Sequence, residues 1–397
     1  MKRFLVNLGV LGGLMLGITG TASASDGKDW TGSWATAVEF TGPGDMPKSS
    51  LSGRALREIV QVSIPGETMR MQLSNIHSKE PVEIKSVFIA NALDSCDIDV
   101  KSAKYLTFNG KKSVTIPAGE AVYCDELQYD LKPLQRLAIT VNYGEQTPVN
   151  ASSHRGSRTT SYIINGEAKP KTKFVDAEKL DHWYNISCID VQTEQPTECI
   201  AIIGNSITDG RGSTTNLQNR WPDFLAKALD GKVGVLNLGI GGNAVVNGGL
   251  SEPAVVRFDR DVLGQTGVTT VVIFEGVNDI GGKRPNHQEI VNNIIEAYSS
   301  FIKKSKDAGK KVYLATITPY KNSFYENHFS EAARLTLNDW IRANKDVDGV
   351  IDFDAAVRDP QNPSQLQEKY SDDWLHLNPA GYEVMGKFAA ETLKANN

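Results

Sequence analysis

The chain has 397 residues, 40% of them hydrophobic, and sets 47 Asp and Glu against 42 Lys and Arg, for a net charge of −5. This acidic balance argues against a nucleic-acid partner or an anionic membrane surface, both of which select for clustered Lys and Arg. The length exceeds the ~100–200 residues of one ordinary domain, so two domains are expected.

Residues 1–24 read as a secretory signal peptide. Lys2 and Arg3 form the charged start, an apolar stretch broken by glycines comes next, and Ala22-Ser23-Ala24 supplies a small-residue cleavage site. Cleavage there removes two positive charges and takes the net charge from −5 to −7. No later segment is apolar enough to span a bilayer, so the expected product is a soluble exported protein, periplasmic or secreted, without stable membrane insertion.

From residue 25 to about 165 the apolar residues alternate with period two. Val60, Val62 and Ile64 share one face; Met69, Met71 and Leu73 share the next, beyond a Pro65-Gly66 turn. The stretch 106–116 resembles a hairpin about Asn109-Gly110, with Leu106 and Phe108 on one arm and Val114 and Ile116 on the other. Leu137, Ile139 and Val141 mark another half-buried strand. Repeated short strands between Gly, Pro and Asn turns predict an antiparallel β-sandwich or jelly roll. Residues 166–197 read as a connecting segment. Four cysteines, Cys96, Cys124, Cys188 and Cys199, allow two disulfides in an exported protein. Three pairings are open, and locality favours Cys96–Cys124 with Cys188–Cys199. No CxxC or HExxH spacing points to a metal, and none is assigned.

The texture changes at about residue 198. Short apolar runs recur at 200–203, 233–239, 270–275, 312–317 and 349–352. Between them lie helical patterns: Ile290, Ile294 or Ile295, Tyr298 and Phe301 fall on one stripe, and Asn378-Pro379 makes a cap and first turn for a last helix. Apolar strands alternating with helices predict an α/β domain over 198–397, its parallel sheet covered on both faces. Sites in such sheets form beyond the carboxyl ends of the strands.

The residues just past these runs make up a set of parts for acyl transfer. After the first run come Gly204-Asn205-Ser206 and Asp209-Gly210; after the second, Gly239 to Asn243; after the third, Glu275-Gly276-Val277-Asn278-Asp279. Asp373-Trp374-Leu375-His376 precedes the last helix. A serine hydroxyl needs a neighbouring base to become a nucleophile. His376 supplies one, and Asp373, three residues earlier, is placed to hold its tautomer. The oxyanion of the tetrahedral intermediate needs donors, for which the backbone N–H groups of Ser206 and Gly242 and the side-chain amide of Asn278 are candidates. In isolation each piece reads as a turn, a cap or a surface pair; in order, each at a strand exit, they read as one site.

With these four blocks, residues 200–395 resemble the SGNH, or GDSL-type, hydrolase family. The resemblance implies a flavodoxin-like three-layer α/β/α domain, nucleophile Ser206, oxyanion donors Ser206, Gly242 and Asn278, the pair Asp373 and His376, and no cofactor. The β-rich half is similar to the amino-terminal domain of some exported members. One position departs from the pattern: Asn205 stands where the family commonly has aspartate, which is expected to alter local charge rather than abolish activity.

Other residues carry weaker signals. The stretch 204–212 lacks the Lys-Ser/Thr ending of a phosphate loop, and no G-x-S-x-G occurs. His154, in the polar stretch 152–162, reads as part of a surface loop, the alternative being a stretch that reaches over the active-site edge. Arg220, Trp221 and Arg257 read as structural, Asp279 as support for its loop, and Trp183 and Tyr184 as packing rather than sugar stacking. His182, His287 and His328 have no partners at metal-ligand spacing. The expected function is an exported serine esterase acting on short O-acyl groups, most simply O-acetyl groups of a glycan. The alternatives are a lipid or lysophospholipid esterase and, in another class, a carbohydrate-binding protein with weak or no catalysis.

Overall fold

The computed structural model describes residues 29–247 and 249–396, so the signal-peptide segment lies outside the described residues. Five strands, Gly234–Gly239, Cys199–Gly204, Thr270–Phe274, Lys311–Ala315 and Gly349–Ile351, form a wholly parallel sheet in that spatial order. Numbered along the chain this is 2-1-3-4-5, the flavodoxin-like order. The five apolar runs of the sequence are these strands.

The strands are apolar on both faces because both faces are covered. Ala201, Ile203, Leu236, Leu238, Val271, Ile273 and Leu314 join a core with helices His287–Asp307 and His328–Ala343. The intervening residues Ile200, Ile202, Val235, Val272, Phe274 and Tyr313 join a core with Trp221–Ala228 and Pro379–Ala395. Successive residues thus serve opposite layers, as period-two geometry requires. Asn378 caps the last helix by accepting from the Ala380 and Gly381 N–H groups, with Pro379 at its first position.

The antiparallel half has two larger sheets around one core. One orders Asp29–Ala35, Ile186–Thr193, Gly66–Ser74 and Ala121–Tyr123. The other orders Glu178–Leu180, Ser161–Asn165, Arg54–Gln61, Arg136–Tyr143, Val82–Asn91 and Lys104–Tyr105. Val60, Met69, Met71, Leu73, Ile139, Val141, Ile189 and Val191 meet between them. The strands flanking Pro65-Gly66 therefore lie in different sheets. About Asn109-Gly110 the expected tight turn forms, with positive φ of 50° and 76° and an antiparallel bridge between Phe108 and Lys111, but the arms go no further together: Val114–Ile116 pairs with Val82–Asn91 instead.

Two expectations need correcting. The stretch 166–197 is more than a connector, because Ile186–Thr193 is a central strand paired with both Asp29–Ala35 and Gly66–Ser74. The chain must return there to complete a sheet begun about 150 residues earlier. The four cysteines form neither expected disulfide; all are free thiols. Each is spent elsewhere: Cys124 Sγ accepts from the Met71 N–H at 3.1 Å, Cys188 Sγ lies 3.3 Å from the Tyr123 hydroxyl, Cys199 faces the Gly32 carbonyl at 3.5 Å and Cys96 the Phe174 carbonyl at 3.9 Å. Burial pushes the Cys124 thiol up to about 11 and that of Cys188 up to about 12, which keeps both protonated. Among the described residues no helix is long and apolar enough to cross a membrane.

Candidate active site

The first parallel strand ends at Gly204 and the chain turns at once into a single helical turn, Ser206–Asp209. Asn205 caps it, its Oδ1 accepting from the Ile207 N–H at 3.0 Å. Gly210 closes it at φ 100°, a conformation that favours glycine. Ser206 is thereby held at the sheet's carboxyl edge, its Oγ 2.9 Å from His376 Nε2.

His376 comes from the turn before the last helix. Its Nδ1–H donates to Asp373 Oδ2 at 2.7 Å, and Asp373 Oδ1 accepts from the His376 and Leu375 N–H groups at 2.8 and 3.0 Å. Burial would raise the Asp373 carboxyl, but the His376 ring and these N–H groups outweigh it and hold the acid well below its ordinary value. With Nδ1 protonated toward a carboxylate, Nε2 offers its lone pair to the serine hydroxyl.

The other two blocks arrive at the same edge. The N–H groups of Ser206 and Gly242 have no hydrogen-bond partner among the described residues. Asn278 Nδ2 donates to the Asn243 carbonyl at 2.7 Å and its Oδ1 accepts from the Tyr325 hydroxyl at 2.6 Å, which fixes the amide's orientation and leaves one N–H. Asp279 accepts from the Val245 and Val246 N–H groups, tying the second block to the third. Ser206, Gly242, Asn278 and His376 line one cleft of about 310 Å³.

Beneath these loops lies a network that sequence reasoning treated as merely structural. The fully buried Arg257 guanidinium donates to the carbonyls of Leu238 (2.8 Å) and Gly204 (3.2 Å) and to Asn243 Oδ1 (2.9 Å), and stands 3.6 Å from Glu275 Oε1. One cation thus stitches together the ends of three strands. Glu275 accepts from Asn205 Nδ2 at 3.2 Å; burial pushes its carboxyl up to about 8, against the pull of Arg257. At neutral pH Asn205 therefore faces a largely protonated acid rather than a second carboxylate.

The antiparallel half also reaches the cleft. His154, expected on a surface loop, is only 3% exposed. Its Nε2–H donates to Asp209 Oδ1 at 2.8 Å and its Nδ1–H to the Ala37 carbonyl at 2.9 Å. Arg158 Nη2 donates to Asp209 Oδ2 at 2.5 Å, and Arg155 Nη2 to Glu39 Oε2 at 2.7 Å. Gly156 is required between them, since a Cβ there would collide with the Asp209 carboxylate. The one signal available was the polar run itself, because the partners lie about fifty residues or more away in the chain. Trp183 and Tyr184 are buried in the antiparallel core, as the packing reading expects. Among the described residues no group of three or more His, Cys, Asp or Glu is placed to hold a metal ion.

Residues 202–384 match the GDSL-like Lipase/Acylhydrolase family. The chain carries a GDSL-like acylhydrolase domain. That makes it a carboxylic ester hydrolase, with the GDSL-like domain preceded by the antiparallel sheets. No curated protein matches the chain. Among solved structures it is similar to a G-D-S-L family protein of Desulfitobacterium hafniense DCB-2, at 22% identity over 49% of this chain and 98% of that one, with a TM-score of 0.39. It is also similar to a carbohydrate acetylesterase family member of Sinorhizobium meliloti (16%, 50% and 99%, 0.40). A carbohydrate esterase family 2 enzyme with a carbohydrate binding domain, from Corynascus thermopiles (Myceliophthora fergusii), matches at 14% over 91% of this chain and 99% of that one, with a TM-score of 0.39.

Proposed function

We propose that the protein is an exported serine esterase that removes short O-acyl groups, chiefly acetyl, from a glycan through a covalent acyl-enzyme. The observation that carries the mechanism is the unbroken chain Ser206 Oγ–His376 Nε2 (2.9 Å) and His376 Nδ1–Asp373 (2.7 Å) at the mouth of the cleft. Ser206 Oγ attacks the ester carbonyl carbon as its proton passes to His376 Nε2. The carbonyl oxygen becomes an oxyanion, received by the N–H groups of Ser206 and Gly242 and the remaining Asn278 amide N–H. Collapse breaks the bond to the alcohol oxygen, which leaves with the proton from His376. Water then repeats the sequence on the acyl-serine, releasing the carboxylic acid and regenerating Ser206.

The glycan reading rests on the cleft wall, where Glu39, Arg155, Arg158, Asp209 and Arg211 suit a hydroxyl-rich alcohol. Phe324, 72% exposed at the same cleft, offers a face on which a sugar ring stacks. That side chain and Leu250 also favour a second reading, an esterase for longer acyl chains or lipids. Hydrolysis of p-nitrophenyl acetate, butyrate and laurate by the wild type and by Ser206→Ala tests both. Activity greatest on acetate and reduced by about four to six powers of ten in the variant is the expected result. A preference for laurate selects the lipid reading, and equal rates from both proteins overturn the assignment of Ser206.

A further inference from the structure

The charges around the cleft are arranged by depth. The two carboxylates on its wall, Glu39 and Asp209, are 2% and 1% exposed and already engaged. Glu39 accepts from the Arg155 N–H, from Arg155 Nη2 and from Ser251 Oγ. Asp209 accepts from Arg158 on one oxygen and His154 on the other. Both ring nitrogens of His154 face acceptors, a carboxylate and the Ala37 carbonyl, so this imidazole is doubly protonated. The three arginines on the wall remain partly accessible, with Arg155 and Arg158 about 30% exposed and Arg211 more so. Two buried negative charges thus stand behind four positive ones, in a protein whose overall charge is −5. Of the other acids nearby, Asp45, about half exposed, is 4.0 Å from Arg155 Nη1, the exposed Asp181 acts on Arg158, and Asp373 is bound to the His376 ring and two N–H groups, which leaves Arg211 without an acidic partner among the described residues.

Two further features set this wall apart from ordinary surface ion pairs. Arg158 holds a left-handed φ of 49°, which a residue with a Cβ adopts only at a cost. Arg211 comes directly after the nucleophile's turn: its N–H donates to the Ser206 carbonyl at 2.9 Å, and its carbonyl accepts from the Tyr382 hydroxyl at 2.5 Å. The backbone of Arg211 is therefore fixed, while its guanidinium has no hydrogen bond or ion pair among the described residues. A planar guanidinium matches a carboxylate with two parallel hydrogen bonds, a fit that a lysine ammonium lacks.

We propose that Arg155, Arg158 and Arg211 form a subsite for an anionic group of the substrate, and that the glycan deacylated at Ser206 is an acidic one carrying a carboxylate close to its acylated sugar. Glu39 and Asp209 brace two of the arginines from behind, and Arg211 supplies the uncommitted charge. The proposal rests on the esterase reading above, and the test separates the two. kcat/KM is measured on O-acetylated polygalacturonate, on the same polymer with its carboxyls methyl-esterified, on O-acetylated xylan and on a lysophospholipid, with p-nitrophenyl acetate as the common reference. The free-acid polymer is expected to be preferred over its methyl ester by about tenfold or more. That preference shrinks as salt rises from about 0.01 M to about 1 M and the Debye length falls from about 30 to about 3 Å. Arg211→Gln, a change at an exposed side chain, lowers the preference several-fold in a folded protein, and Arg158→Lys, which keeps the charge and loses the fork, lowers it as well. Equal kcat/KM on the acid and its methyl ester, with p-nitrophenyl acetate hydrolysed, overturns the subsite and leaves the esterase standing. Faster turnover of the lysophospholipid than of any glycan reassigns the arginines to a phosphate headgroup and overturns the glycan. Failure on every substrate, p-nitrophenyl acetate included, overturns the esterase reading together with the subsite.

Discussion

Two histidine–aspartate pairs meet at the turn that carries Ser206, one wholly from the parallel half and one joining His154 of the antiparallel half to Asp209 of the turn itself, and they are opposite in electrostatic character. In the parallel half, His376 donates one ring nitrogen to Asp373 and turns the other toward the serine hydroxyl, a group that gives and takes a proton. In the antiparallel half, His154 meets an acceptor at each nitrogen, and these partners favour its charged form against the cost of burial. Asp373 is 42% exposed, whereas Asp209, the last residue of the helical turn, is buried. On the mechanism proposed above, identical residue types make a proton shuttle in one place and a fixed ion pair in the other. The difference between them lies in the partner of the second ring nitrogen.

Neutralising each aspartate in turn is the strongest test of that difference. Asp373→Asn removes the group that orients the His376 tautomer from a partly exposed site. It is expected to lower kcat by about 10³–10⁴-fold with stability little changed. Asp209→Asn leaves a buried imidazolium and the Arg158 guanidinium facing a neutral amide, which costs about 3–5 kcal/mol. Urea denaturation and p-nitrophenyl acetate kinetics on both variants decide it. A stable Asp209→Asn together with an unfolded Asp373→Asn would reverse the assignment of the two pairs.

The same contrast has a pH signature. Burial alone would lower the pKa of His154, but the hydrogen bond and charge of Asp209, with Glu39 and the Ala37 carbonyl, raise it above its ordinary value. Arg158, His182 and the stacked Trp183 ring, 5.8 Å away, complete its surroundings. A histidine raised in the folded state stabilises fully below its unfolded value of about 6.5 and loses that contribution as pH climbs through the folded value. Asp209, lowered by Arg158 and His154 against the cost of burial, contributes above about 4 and fails on further acidification. Glu275 and Asp279, pushed up by burial to about 8 and about 6, hold their protons in the folded state above their unfolded values, so Asp279 loses its contribution between about 4 and about 6 and Glu275 between about 4.5 and about 8. Tm is expected to fall as pH rises from about 6.5 to 9, and His154→Gln flattens the part of the slope that Glu275 does not supply. An unchanged slope in that variant would mean that His154 does not titrate in this range.

A smaller effect is expected at Asn205, where the chain departs from the family's aspartate. Asn205→Asp places a carboxyl about 3.2 Å from Glu275 Oε2, and two buried acids at that distance share one proton instead of ionising together. The variant is expected to match the wild type near pH 5 and to lose about 1–2 kcal/mol by pH 8. Equal stability at both pH values would show that Arg257 compensates the second charge.

The same division governs how much of the molecule is legible in its sequence. The parallel strands are apolar on both faces and short, so Ile200–Ile203 and Val271–Phe274 stand out, and the residues after them fall at the sheet edge by topology. Ser206, Gly242, Asn278 and His376, marked in the sequence by local blocks, are brought to one cleft, with Asp373 bonded to His376 beside it. The antiparallel half offers no such marker. Arg155 and Arg158 look like solvated loop charges until Glu39 and Asp209, 116 and 51 positions away, are seen to brace them. Ile186–Thr193 is hidden because its register shift between Ile186 and Cys188 breaks the alternation that would have marked it as a strand. The even cysteine count misleads because the fold gives each thiol its own partner.

Tyr325 is the residue where that gap is narrowest and the expected effect smallest. It lies in the long loop after the fourth strand, carries no motif, and donates to Asn278 Oδ1 at 2.6 Å. Asn278 is fixed from the other end by the Asn243 carbonyl, so losing the hydroxyl leaves an amide held at one point instead of two. Tyr325→Phe keeps the ring that packs beside Phe324 and deletes only that donor. An oxyanion donor that is present but less well aimed weakens the transition state more than substrate binding, so kcat is expected to fall about three- to tenfold with KM little changed, corresponding to about 1 kcal/mol. A rise in KM at constant kcat would place Tyr325 in the substrate-binding wall. If neither constant moved, the Asn243 carbonyl alone would suffice to orient Asn278, and the antiparallel arginine wall would be the only feature of the cleft acting without a sequence motif.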